Sequence, residues 1–79
     1  MLPLSIGPTN SALMIKKISG KDDQKKLLAN MGFVPGEVIK LISQNDGNVI
    51  VGIKDGRVAI AEKMARRIMV EEVKHANLR

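Results

Sequence analysis

The sequence feature that most restricts the fold is a pair of short Val- and Ile-rich segments that meet at an Asp-Gly dipeptide. These segments span residues 49–54 and 57–61, and Asp55-Gly56 lies between them. Asp-Gly is a preferred two-residue loop of type I′ β-hairpins, so the pattern predicts a hairpin in which Val51 faces Ile60. One face of this hairpin is then apolar throughout, which indicates a core position. The residues on that face are Val49, Val51, Ile53, Val58 and Ile60.

The rest of the chain alternates short apolar segments with turn residues. Besides the hairpin, strands are predicted over residues 12–18, 37–43 and 68–73. The apolar alternation of the first strand slips at Lys16-Lys17, which predicts a β-bulge there. Pro35-Gly36 has the order of residues that a type II turn prefers.

One amphipathic helix is predicted between the first and second of these strands. Over residues 22–31, Leu27, Leu28 and Met31 recur at helical spacing, and we expect this stripe to pack on the core. Gly32 follows, as is typical of the residue that ends a helix in the left-handed conformation. Residues 62–67 are predicted to form a single helical turn before the last strand.

These elements predict an all-β fold, a small closed or partly closed antiparallel barrel of five short strands with one helix. Closing the sheet protects strand edges that so many Val and Ile residues would otherwise expose. The 79 residues allow one core and no second domain, so residues 1–79 are predicted to form a single domain with a polar tail at 74–79.

The composition predicts a cytoplasmic binding protein rather than an enzyme. The chain has no Cys, and we find neither a signal peptide nor an apolar run long enough to cross a membrane. His75 is the only histidine, and with Glu71 and Glu72 it offers at most a weak metal contact. No nucleophile–base pair and no phosphate-binding loop are apparent, so no catalytic residue, cofactor or small-molecule substrate is predicted.

The residue types also restrict what the protein binds. Phe33 is the only aromatic residue, which argues against a groove for proline-rich peptides and against base stacking on single-stranded nucleic acid. Thirteen Lys and Arg against eight Asp and Glu give a net charge of +5, and five lysines fall within residues 16–26. These lysines could contact the phosphates of structured RNA or of a ribosomal surface, which is therefore the alternative to a protein partner.

A candidate partner surface lies around the end of the predicted helix. In one interpretation it is an apolar patch with a basic rim, which would suit a small protein interface. The residues of this candidate surface are Lys25, Lys26, Leu28, Met31, Phe33 and Val34. In the other interpretation Phe33 and Val34 close the end of the core and bind nothing.

Residues 25–36, which read Lys-Lys-Leu-Leu-Ala-Asn-Met-Gly-Phe-Val-Pro-Gly, resemble the signature of the ferrous iron transport protein A (FeoA) family. Similar segments occur along residues 2–73, at 3–5, 15, 18–20, 57–60 and 65–70. The resemblance implies an SH3-like barrel and a cytoplasmic accessory role in bacterial ferrous iron uptake. It also implies that the partner is FeoB, the membrane transporter and GTPase of that system, and it implies no enzymatic activity.

Overall fold

Six β-strands form one antiparallel sheet in the computed structural model, which describes residues 1–73. The strands are β1 (Leu2–Pro3), β2 (Ala12–Ile18), β3 (Val38–Asn45), β4 (Asn48–Ile53), β5 (Gly56–Ala61) and β6 (Ile68–Glu72). A 3-10 helix (Leu4–Ile6) follows β1, the helix α1 (Asp22–Asn30) connects β2 to β3, and the short helix α2 (Glu62–Ala65) precedes β6. The strand order across the sheet is β1-β6-β2-β3-β4-β5.

The predicted small, mostly β fold is confirmed, with one strand more than expected. The additional strand is β1, in which Leu2 pairs with Val70 and Pro3 pairs with Met69. A strand of two residues has no alternating pattern, so its sequence alone does not reveal it. The chain then turns through the 3-10 helix, where the Leu4 side chain is fully buried in the core.

The β4–β5 hairpin has a different register from the predicted one. Its loop is Lys54-Asp55 rather than Asp55-Gly56, because Ile53 pairs with Gly56. In the predicted register Glu62 would lie opposite Val49 on the core face and bring a charge into the interior. In the observed register Ile60 takes that place, and Glu62 begins α2.

The shift is two residues, so every side chain keeps its predicted face. Four of the five residues predicted for the core are buried, and Val58 is half-buried against them. A different Asp-Gly dipeptide, Asp46-Gly47, forms a two-residue loop in the β3–β4 hairpin, where Asp46 has φ 43° and Gly47 has φ 82°. Two positive φ angles are what a type I′ turn requires.

The connection from α1 to β3 follows the prediction. Gly32 has φ 101° after the last turn of the helix, and Gly36 has φ 95°. The Glu37 N–H donates to the Val34 carbonyl at 3.1 Å, which closes the predicted turn around Pro35-Gly36. The Gly36 N–H also donates to the Ile15 carbonyl at 2.7 Å, so this turn is fixed to β2.

Two β-bulges curve the sheet around its core. The pairing of β2 with β6 shifts between Ile15 and Lys17, at the predicted bulge, and the pairing of β3 with β4 shifts between Leu41 and Ser43. Bulges of this kind increase the local twist and so help a short sheet to wrap. The fully buried side chains that the sheet encloses include Leu13, Leu28, Phe33, Leu41, Val51, Ile68 and Val70.

Candidate protein-binding surface

The structure divides the predicted partner surface into buried and exposed residues. Leu28 and Phe33 are both 0% exposed, so the interpretation that puts them in a surface patch is wrong for these two residues, whereas Leu28 packs on the core as the helical stripe predicted. Gly32 reverses the chain after α1, and the Phe33 N–H donates to the Leu28 carbonyl at 2.9 Å. This short connection turns Phe33 into the core, where it closes the end as the alternative interpretation proposed.

Four residues of the predicted surface, together with Leu27, are accessible at this end of the molecule. Lys25 and Lys26 are exposed, Val34 is 39% exposed, and Met31 is half-buried against the core. Leu27, which we predicted to be buried, is 53% exposed because the adjacent Leu28 occupies the core-facing position of the helix. We call these five residues, Lys25, Lys26, Leu27, Met31 and Val34, the helix patch.

The helix that carries this patch is attached to the sheet by a narrow contact. Leu28 is the only fully buried residue among the nine of α1. Asp22 and Asp23 occupy the first turn, where carboxylates interact favourably with the helix dipole. The Gln24 side-chain oxygen also accepts the Lys21 N–H at 3.4 Å. The helix is therefore stabilised at its start by these interactions and near its end by the burial of Leu28, and most of its residues are exposed.

A second surface, which the sequence analysis did not identify, lies on the outer face of the sheet. It is a groove of about 400 Å³, which we call the sheet groove. Its lining residues come from β2, β3, β4, the β4–β5 turn and β5: Ala12, Val38, Ile39, Lys40, Ile42, Gly52, Lys54, Asp55, Gly56 and Arg57. The predicted register placed Lys54 opposite Arg57, whereas Gly52 lies there, so the groove could not be found before the pairing was known.

The residues considered for metal binding are not gathered into a site in the part of the chain that the structure describes. Glu71 pairs with Lys16 at 3.7 Å, and both side chains are largely exposed. His75 and the predicted tail at 74–79 lie outside the described residues. Within residues 1–73, no three His, Cys, Asp or Glu side chains are placed to hold a metal ion. Over the same range, no helix is long and apolar enough to span a membrane.

Comparison with known proteins gives a consistent result over nearly the whole chain. The model of the FeoA domain family matches residues 2–72. A curated protein of Methanocaldococcus jannaschii that is assigned as an Fe(2+) transport protein A is 31% identical over 75 residues, which cover 95% of this chain and 92% of that protein.

Solved structures agree with the fold described above. A crystal structure of an iron uptake regulatory protein, FeoA, superimposes with a TM-score of 0.82 at 28% identity and covers 91% of this chain and 96% of that one. The zinc complex of Stenotrophomonas maltophilia FeoA, described as a prokaryotic SH3 domain protein, gives a TM-score of 0.76 at 21% identity over 90% and 91% of the two chains. The SH3-like fold implied by the sequence resemblance is therefore confirmed.

Proposed function

This chain belongs to the FeoA family of ferrous iron transport accessory proteins, and from that premise we propose that it acts in the cytoplasm by binding the cytoplasmic part of the transporter FeoB. The contact would be non-enzymatic, because the family is associated with transport rather than with catalysis. The observation that carries this proposal is the helix patch, in which accessible aliphatic side chains lie beside two lysines on a helix with a single buried residue.

The composition of the helix patch suits a small, reversible protein interface. Met31 is the C-cap residue of α1 and follows Leu27 by four residues in helical backbone conformation, so the two side chains are neighbours on one face. The thioether of Met31 repacks easily against different partners. Lys25 and Lys26 would accelerate association with an acidic surface and add little to the final affinity.

The test is a binding measurement between the full chain and the purified cytoplasmic domain of FeoB. Leu27→Ser should weaken binding by about 1 kcal/mol or more, roughly fivefold in Kd, because it removes an exposed apolar side chain from the centre of the contact. Ile6→Ser is the matched control, since Ile6 is 72% exposed and lies outside the helix patch. It should leave the affinity unchanged.

Charge reversal separates steering from affinity. Lys25→Glu with Lys26→Glu should slow association and reduce its dependence on salt, whereas the same reversal at the exposed Lys17 and Lys63 should have a smaller effect. Equal loss of affinity in Leu27→Ser and Ile6→Ser would contradict the assignment of the helix patch. No binding of the unmodified chain to the FeoB domain would contradict the proposed function itself.

The alternative, a basic barrel that binds structured RNA or a ribosomal surface, is tested in the same buffers. Phosphate-driven binding weakens steeply as the salt concentration rises. Saturable, salt-dependent binding of a structured RNA, without binding of the FeoB domain, would favour that alternative.

A further inference from the structure

The sheet groove follows one row of directly paired residues across four strands. Ala12 is opposite Lys40, Lys40 is opposite Gly52, and Gly52 is opposite Arg57. Residues that are directly opposite in an antiparallel sheet project from the same face. Because Gly52 has no side chain, the row contains a gap between two cations whose strands lie about 10 Å apart, or two strand spacings.

The walls of this gap are aliphatic. Ile42 covers one side, since a Cβ added at Gly52 would lie 3.3 Å from the Ile42 Cδ1 atom. Val38, which is two residues before Lys40 on the same strand, is 44% exposed and lines the groove as well. Val38 and Ile42 therefore lie on either side of Lys40 along β3 and offer apolar contacts next to the charged row.

The cations of the groove are not neutralised by the described part of their own chain. Lys40, Lys54 and Arg57 line the groove together with a single carboxylate, that of Asp55. The two ion pairs among residues 1–73 lie elsewhere, between Lys16 and Glu71 and between Glu62 and Arg66. The groove thus carries an excess of positive charge beside an apolar wall, which is complementary to an acidic, aliphatic ligand.

We propose that the sheet groove binds an extended acidic segment of a partner protein. A carboxylate of that segment lies over Gly52, between the Lys40 ammonium and the Arg57 guanidinium. Aliphatic side chains two residues before and two residues after that carboxylate contact Val38 and Ile42. An extended segment fits because its side chains on one face recur every second residue, as they do along β3.

A protein ligand accounts for the groove better than a nucleic acid does. Binding of single-stranded nucleic acid relies on bases that stack on aromatic side chains, and no aromatic residue lines the groove. The site shares no residue with the helix patch, so this inference stands or falls independently of the proposed function.

The direct test is an NMR titration of the ¹⁵N-labelled full chain with two synthetic peptides. One is a capped five-residue peptide with Val at positions 1 and 5, Glu at position 3 and Ser between them, so that Val, Glu and Val project from one face of the extended chain, and the other has Gln in place of the Glu. We expect saturable shifts centred on the amide of Gly52 and its row neighbours Lys40 and Arg57. The Gln peptide should bind at least fivefold more weakly, because it lacks the carboxylate.

Three variants connect the binding to the groove. Gly52→Val fills the gap and should abolish the saturable shifts, and Lys40→Gln with Arg57→Gln should weaken binding at least fivefold. Lys25→Gln with Lys26→Gln removes the same charge from the helix patch and should leave peptide binding within twofold of the unmodified chain. Thermal melting verifies that each variant is folded. If Gly52→Val does not fold, the variant with Lys40→Gln and Arg57→Gln tests whether the peptide binds in the groove.

Three results would overturn the proposal. Equal weakening by the two double-Gln variants would mean that the peptide responds only to net charge. Unchanged binding by a folded Gly52→Val variant would show that the gap is not the site. Tighter binding of an oligouridine than of the Glu peptide, at these same amides, would identify the groove as a nucleic-acid site instead.

Discussion

Replacement of Phe33 by serine is expected to unfold the domain rather than to remove a binding residue. Phe33 is 0% exposed and is the largest of the fully buried side chains. Truncation of a buried Phe to Ala costs about 3–5 kcal/mol. A serine hydroxyl left there without a hydrogen-bond partner adds about 1–3 kcal/mol to this cost.

The size of the domain makes this loss decisive. A domain of 79 residues has a total free energy of unfolding of about 4–12 kcal/mol, so a combined loss of about 4–8 kcal/mol is comparable to the whole of it. Urea unfolding followed by far-UV circular dichroism is the suitable assay, because the chain contains neither Trp nor Tyr for fluorescence. Phe33→Leu retains most of the buried area and should cost only about 1–2 kcal/mol.

A surface control completes this experiment. Val34 is the next residue and is 39% exposed, so Val34→Ser should change the free energy of unfolding by less than about 1 kcal/mol. If Phe33→Ser instead gave a cooperative transition within about 1 kcal/mol of the unmodified chain, the burial of Phe33 and the closure of the core by the turn after α1 would both be refuted.

Three further predictions test the hairpin, the core and metal binding. Lys54 has φ 54°, so Lys54→Gly should raise the free energy of unfolding, measured with urea, by roughly 1 kcal/mol. Gly56→Ala should not lower this free energy, because Gly56 has no positive φ and open space around it. No gain from Lys54→Gly together with a loss from Gly56→Ala would instead support the predicted Asp55-Gly56 loop. Ile60→Asp places an unpaired charge in the core and should abolish cooperative thermal melting, whereas a melt near the unmodified temperature would contradict the burial of Ile60. Calorimetric titration with Zn²⁺ should show no saturable binding in the low micromolar range, and a stoichiometric site lost in His75→Ala would contradict this.

Local signals in the sequence predicted the local structure well. Gly32 and Gly36 adopt the positive φ angles that the end of the helix and the type II turn require. The broken alternation at Lys16-Lys17 indicated the bulge between β2 and β6. In each case the physical cause lies within a few neighbouring residues, so no knowledge of the remaining chain is needed.

Features that depend on distant pairing could not be predicted in the same way. Two Asp-Gly dipeptides, at 46–47 and 55–56, have equal local propensity for a two-residue loop. Only the first forms one, because the position of Glu62 after β5 decides the register of the second hairpin. Similarly, Leu27 and Leu28 are equivalent in sequence, and the direction in which α1 docks on the core decides which of them is buried.

The position of β6 between β1 and β2 determines when the sheet is completed during synthesis. Strands β2 to β5 pair in chain order, so these four can assemble as soon as residue 61 has left the ribosome. The other edge of β2 stays unpaired until residues 68–72 emerge, and β1 has no partner before then. The pairing of β6 with β2 and β1 joins residues that are at least 50 positions apart, and such pairing forms more slowly than a hairpin. A nascent chain therefore carries an open, apolar strand edge until residues 68–72 have emerged, and during that period it is exposed to aggregation or to capture by a chaperone.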